Sequence, residues 1–291
     1  MLNPLYVTGF SDGDACFHLA IGKNSKYKIG YYVNPGFSIA LNRRDLELLK
    51  NFQDFFGGIG VISKLKKDMV QFRVFSIKEL EIIINHFDQY PLISKKRADF
   101  LLFKEAFKLI QNKEHLTIEG FNKIISIRGS INKGLPEILK LKFSNITTKK
   151  VPVITLPDNL DPNWIVGFLE AEGCFFVKTS KNKINKTKIV IGCQMTQHSR
   201  DLLLIEKLSS FFNCGRTELV RSKYSNFVVT KLSDIIKIII PFFEKYPILG
   251  DKSKDFKNFK IIANLMTSKA HLTPKGVIKI LKIKSKINSS K

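Results

Sequence analysis

A chain of 291 residues has room for two domains of ordinary size, and 44% hydrophobic residues, 24 of them Phe, exclude a disordered chain. Its 48 Lys and Arg against 25 Asp and Glu leave a formal charge of +23, an excess that points to a polyanion, with nucleic acid the leading partner. No apolar run is long enough to span a membrane, MLNPLYVTGF reads as neither a signal nor a transit pattern, and the four cysteines have neither paired nor metal-knuckle spacing. Cys16 and Cys174, each beside a Phe, are expected as small core residues in a reducing compartment.

In chain order, residues 4 to 13 predict an opening helix, with Asn3 as N-cap and Pro4 at the first helical position. Strands are expected over Phe17 to Ile21 and Phe37 to Leu41, with the lysine-rich KNSKYKIG as the loop between them. Asp45 to Phe56 carries a helical period closed by Gly57-Gly58. A second hairpin, Ile59 to Leu65 and Val70 to Phe75, precedes a helix over Ile77 to Gln89, which ends where Tyr90 is forced out of helical conformation by Pro91.

The second part of the chain returns to this order. LYVTGFSDGDACF at 5 to 17 comes back as WIVGFLEAEGCFF at 164 to 176, with Gly9 and Gly167 158 residues apart. FDQYPLISKKRADFLLF at 87 to 103 comes back as FEKYPILGDKSKDFKNF at 243 to 259, and His115-Leu116-Thr117 as His271-Leu272-Thr273, both at an offset of 156. Two copies of one fold are expected: a mixed α/β (α+β) protein of two tandem pseudo-symmetric αββαββα halves, residues 1–142 and 161–291, joined by a proline-containing linker at 143–160. Asp161-Pro162 opens the second motif helix, and Thr273-Pro274 the last helix, with the same N-cap and first-turn proline logic. Along 188 to 196, Ile189, Ile191, Cys193 and Met195 form one apolar set and Lys188, Gly192, Gln194 and Thr196 the other, so one sheet face should meet helices and the other a ligand. The Lys- and Asn-rich hairpin loops Lys23 to Lys28 and Lys178 to Lys188 suit phosphate contact and base-edge reading.

Each motif run ends in a carboxylate, Asp14 in the first copy and Glu172 in the second. An acid at a helix C-terminus faces the negative end of the dipole, and two acids side by side repel, so this pattern calls for a divalent cation. Hard carboxylate oxygens with room for water and phosphate suit Mg²⁺. Gly9 and Gly167 would let two helix backbones approach closely. The five histidines show no clustered nuclease pattern, and His115 and His271, before Thr caps, read as structural.

The paired motif resembles that of the LAGLIDADG homing endonucleases in their single-chain, two-repeat form, and especially the fungal mitochondrial intron-encoded branch, through GFLEAEGCFF and Thr196-Gln197-His198-Ser199-Arg200-Asp201. The resemblance covers nearly the whole chain. It implies two saddle-shaped antiparallel sheets on double-stranded DNA, a monomer, a mitochondrial setting, and metal-dependent hydrolysis giving a staggered double-strand cut in a long asymmetric site. It makes Asp14 and Glu172 the metal-binding acids, with Mg²⁺ for turnover and Ca²⁺ supporting binding without it. The family's basic residue near the end of the fourth strand falls on Lys231, with Ser76 as its first-half counterpart, and Gln194 is a candidate for the water network. Ala15 stands where the motif has Gly, a departure that Gly173 does not share. An intron maturase, with intron RNA as partner, and a cleavage-silent DNA-binding protein are the rival expectations on the same fold.

Overall fold

The computed structural model describes residues 1–181 and 187–288. Its elements follow the repeat. The first copy runs α1 (Pro4–Asp14), β1 (Ala15–Lys23), β2 (Tyr31–Asn42), α2 (Leu46–Phe55), β3 (Val61–Lys64), β4 (Met69–Val74), α3 (Ile77–Gln89), α4 (Lys96–Gln111) and α5 (Ile118–Ser130). A short α6 (Glu137–Lys142) precedes the second copy: α7 (Pro162–Glu172), β5 (Gly173–Lys181), β6 (Thr187–His198), α8 (Leu202–Phe212), β7 (Arg216–Val220) and β8 (Tyr224–Val229). The chain closes with α9 (Leu232–Asp234), a π segment (Ile235–Ile239), α10 (Ile240–Lys245), α11 (Lys252–Thr267) and α12 (Pro274–Lys284). The π segment leads into Pro241, which has no N–H to continue an α ladder.

Two compact units result, and their boundaries do not follow the 1–142 and 161–291 division. One comprises Met1–Pro4 and Asp14–Pro157, the other Leu5–Gly13 and Asp158–Lys291. Most of α1 therefore belongs with the second unit. The expected linker is docked along α5 of the first: Ser126 Oγ donates to Thr147 O, Lys149 N to Ser126 O, and Lys149 pairs with Glu105.

Each unit holds a four-stranded antiparallel sheet, ordered β1-β2-β4-β3 in the first and β5-β6-β8-β7 in the second. Strand alternation sends one set of side chains toward the helices. In β1 these are Ala15, Phe17 and Leu19, and in β6 they are Ile189, Ile191, Cys193 and Met195, all buried. Phe17 packs on Phe37, Phe87, Phe100 and Phe103, and its counterpart Phe175 on Phe243, Phe256 and Phe259. The same alternation corrects one expectation. Cys16 and Cys174, next to these Phe residues, point to the opposite face and are half-buried, and only Cys193 is a core cysteine.

Asp161 caps α7, accepting from Asn163 N and Trp164 N, and Thr117 and Thr273 cap α5 and α12 in matching turns. A second device is also repeated. Asn132 N donates to Asp99 Oδ1 while Asn132 Nδ2 donates to Phe17 O, and Asn288 makes the same pair of bonds to Asp255 and Phe175. These clasps fix α4 and α11 against the first strand of each sheet.

Candidate active site

The second unit contains the paired motif segments, Leu5–Gly13 and α7. Their backbones approach so closely that a Cβ on Gly9 would lie 2.0 Å from Trp164 O, and one on Gly167 2.1 Å from Tyr6 O. No other residue fits either crossing point. Two buried polar pairs bridge this seam. Trp164 Nε1 donates to Asp12 Oδ2 at 2.8 Å and Tyr6 OH to Glu170 Oε2 at 3.2 Å, while Leu249 N adds a bond of 2.8 Å to the same oxygen. Burial pushes the Glu170 carboxyl up, against hydrogen bonds from the Gly250 and Leu249 amides, the charge of Lys252 and the Tyr6 hydroxyl. Asp12 and Glu170, two residues before the terminal acids, thus act as structural carboxyls of the helix pair.

The seam ends with Gly13 beside Ala171 and Glu172, where a Cβ would meet Ala171 Cβ at 2.3 Å. Asp14 follows Gly13 directly as the last residue of α1, and Glu172 is the last residue of α7. Glu172 Oε1 faces Gln197 Nε2 at 3.5 Å. Lys252, the first residue of α11, sends Nζ to Leu169 O, Glu170 O and Gly173 O at 2.9, 2.8 and 2.5 Å. A lysine on the unsatisfied carbonyls of a helix C-terminus offsets the negative dipole end on which Glu172 stands. In the first unit the repeat-equivalent Lys96 sends Nζ to Ala15 O at 2.7 Å. Each unit thus fixes an ammonium on the carbonyl of the residue that follows the motif acid.

The other sequence candidates have contacts of their own. Lys231 precedes α9, with a side chain 76% exposed and an ion pair to Asp234. Gln194 lies on the open sheet face and donates to Thr196 Oγ1 at 2.9 Å. Ser76, the first-half counterpart of Lys231, precedes α3 in the same way. Lys96, Lys252 and Gln197 escaped the sequence reading, although the lysines stand inside the repeated FDQYPLISKK and FEKYPILGDK stretches and Gln197 inside TQH. Of the stretch expected as a loop over Lys178 to Lys188, residues 178–181 belong to β5 and 187–188 to β6, and residues 182–186 lie outside the described residues. The first loop folds back on itself through Asn24 N to Gly30 O and Tyr27 N to Asn24 O.

A divalent cation fits this donor set. Among the described residues no three His, Cys, Asp or Glu side chains gather into a metal cage. A cation at a motif carboxylate would take the rest of its shell from other oxygen donors, as Mg²⁺ and Ca²⁺ do.

A family model described as LAGLIDADG endonuclease matches residues 7–107 and again 165–263, one match per copy. The chain belongs to this family. It is 41% identical over 299 aligned positions to probable intron-encoded endonuclease 2 of Neurospora crassa, covering 98% of this chain and 65% of the relative. It is 37% identical to probable intron-encoded endonuclease 3 of the same fungus, covering 95% and 52%. The chain spans between half and two thirds of the length of these relatives. Among solved structures, the LAGLIDADG homing endonuclease I-SmaMI bound to cleaved DNA superposes with a TM-score of 0.95 at 40% identity, covering 98% of this chain and 96% of that one. The same enzyme bound to an uncleaved DNA target in the presence of calcium ions gives a TM-score of 0.96 at 39% identity, covering 99% of each chain. The mixed α/β fold with two four-stranded sheets expected from the sequence is thus the family's fold.

Proposed function

We propose that this LAGLIDADG chain is a site-specific homing endonuclease, acting as a monomer on double-stranded DNA and hydrolysing phosphodiesters with Mg²⁺. The observation that carries the reading is the repeated end of the motif: an acid that closes a helix, followed by a residue whose carbonyl holds a lysine, once with Lys96 and once with Lys252. Asp14 and Glu172 are the metal-holding acids of this reading. When bound, the divalent cation supplies Lewis acidity toward the scissile phosphate and the leaving 3′ oxygen. Gln197 orients groups around Glu172, and the two ammonium groups add fixed positive charge where phosphorane charge develops. The excess of 23 positive charges draws a duplex onto the sheets. I-SmaMI bound to cleaved DNA, and bound to an uncleaved target in the presence of calcium ions, supports DNA binding and cleavage with a divalent cation as the partner ion. The Neurospora crassa relatives, named as intron-encoded, support an intron-encoded protein, and relatives named for an ND4 intron of Podospora anserina and for Cox1 of Schizosaccharomyces pombe support a mitochondrial setting.

The test is selection of duplexes from a randomised pool in Ca²⁺, followed by Mg²⁺. A staggered double-strand cut is expected, lost in Asp14→Asn and Glu172→Gln while binding persists. No recovered duplex, or a cut that survives the double variant, would refute the reading.

A further inference from the structure

The open faces of the two sheets, opposite the helices, carry an arrangement that the cleavage site does not use. At repeat-equivalent positions, Gly36 in β2 and Gly192 in β6 each lie under an aromatic ring. A Cβ on Gly36 would meet Phe75 Cδ1 at 2.4 Å, and one on Gly192 would meet Phe176 Cζ at 2.3 Å. The missing side chain lets the ring lie on the strand, and each ring carries a cation. The Arg73 guanidinium carbon stands 5.7 Å from the Phe75 centroid, and Lys178 Nζ stands 4.8 Å from that of Phe176. The rings come from different strands, Phe75 just after β4 and Phe176 from β5, so the two units reach similar pedestals by separate sequence routes.

The cations differ in what they can recognise. Arg73 alternates with the buried Phe72 and Val74, and its cross-strand neighbours are Ser38 and Val61. Among the described residues it has no ion pair, and its Nε is covered without a hydrogen-bond partner. The second unit's strand arginine on this face, Arg216, is already committed to Glu218 and Thr230. A guanidinium held against a ring, on a sheet face, with no acid to neutralise it, is a preorganised planar fork. In a major groove that fork matches the O6 and N7 acceptors of guanine, whereas an ammonium such as that of Lys178 is a point charge without that geometry.

We propose that Arg73, propped by Phe75 on the Gly36 backbone, reads a guanine in the half of the target bound by the first unit. The proposal rests on the DNA-cleavage reading and makes specificity in the two halves unequal, sharper where Arg73 sits than where Lys178 does.

The experiment uses the full chain in Ca²⁺ and the duplex it selects from a randomised pool, with each base pair of that duplex then substituted in turn. Wild type is expected to require guanine at one position that Arg73→Ala no longer distinguishes, with a loss there of about tenfold to a hundredfold and an unchanged profile elsewhere. Arg73→Lys keeps the charge and is expected to lose the same preference, and Phe75→Leu, which leaves Arg73 in place, to weaken it. An equal loss at every position with a salt dependence shallower by about one phosphate makes Arg73 a backbone contact and overturns the proposal. An unchanged profile in all three variants also overturns it. A wild-type protein that selects no duplex sinks the DNA reading itself, which separates the two failures.

Discussion

The indole N–H of Trp164 donates to the carboxylate of Asp12 at 2.8 Å, joining two motif residues 152 positions apart inside the seam of the second unit. Asp12 is 1% exposed and Trp164 2%, so neither group can turn to solvent for a replacement. Trp164→Phe keeps an aromatic ring and removes the donor. It should cost about 1–3 kcal/mol in urea-induced unfolding, and an unchanged midpoint would show that the bond adds nothing.

The two crossing glycines predict a larger loss. A methyl at Gly9 or Gly167 would meet main-chain atoms of the facing segment at 2.0 or 2.1 Å, and backbone cannot rotate away as a side chain can. Gly9→Ala and Gly167→Ala should each destabilise by about 3 kcal/mol or more. Thermal unfolding measures this directly, and near-native melting of either variant would mean the seam opens freely.

Lys96 and Lys252 predict a loss of chemistry that leaves recognition in place. Substitution of either by Met keeps the stem of the side chain and removes the ammonium from Ala15 O or from the end of α7. Single-turnover cleavage should slow by about two to three orders of magnitude, with duplex affinity in Ca²⁺ within a few-fold of wild type. Lys231→Met, which removes an exposed partner of Asp234, should leave cleavage near wild type. The opposite ranking would return the role to Lys231.

His86 makes stability depend on pH. Its ring is packed among Phe55, Phe56, Phe87 and Tyr90, and burial lowers its pKa to about 4 from an ordinary value of 6.5. Because the folded pKa lies below the unfolded one, the unfolded chain binds the extra proton between these values. Stability is therefore full above about 6.5 and declines as pH falls toward about 4, by on the order of 3 kcal/mol from this residue. His18 and His115 are lowered by burial and act in the same direction. Equilibrium unfolding at pH 7 and pH 4.5 should differ less in His86→Phe than in wild type, and identical differences would count against the assignment.

The sequence by itself determined the two-copy organisation, the acid at the end of each motif helix, the glycines between them and the apolar set of β6. These are local or periodic signals: a repeat offset, a helix terminus, an alternation of two. Even there, the pairing of Cys16 and Cys174 with the core ignored that alternation, which turns the neighbours of Phe17 and Phe175 to the opposite face. Tertiary structure alone decided that Leu5–Gly13 packs in the second unit, that Glu172 meets Gln197 while Gln194 turns to Thr196, and that the lysines on the motif ends are Lys96 and Lys252. The physical reason is distance along the chain. Lys252 meets carbonyls 79 to 83 residues away, and any carbonyl offers the same oxygen, so nothing in the residue types around Lys252 marks which helix end its ammonium will reach.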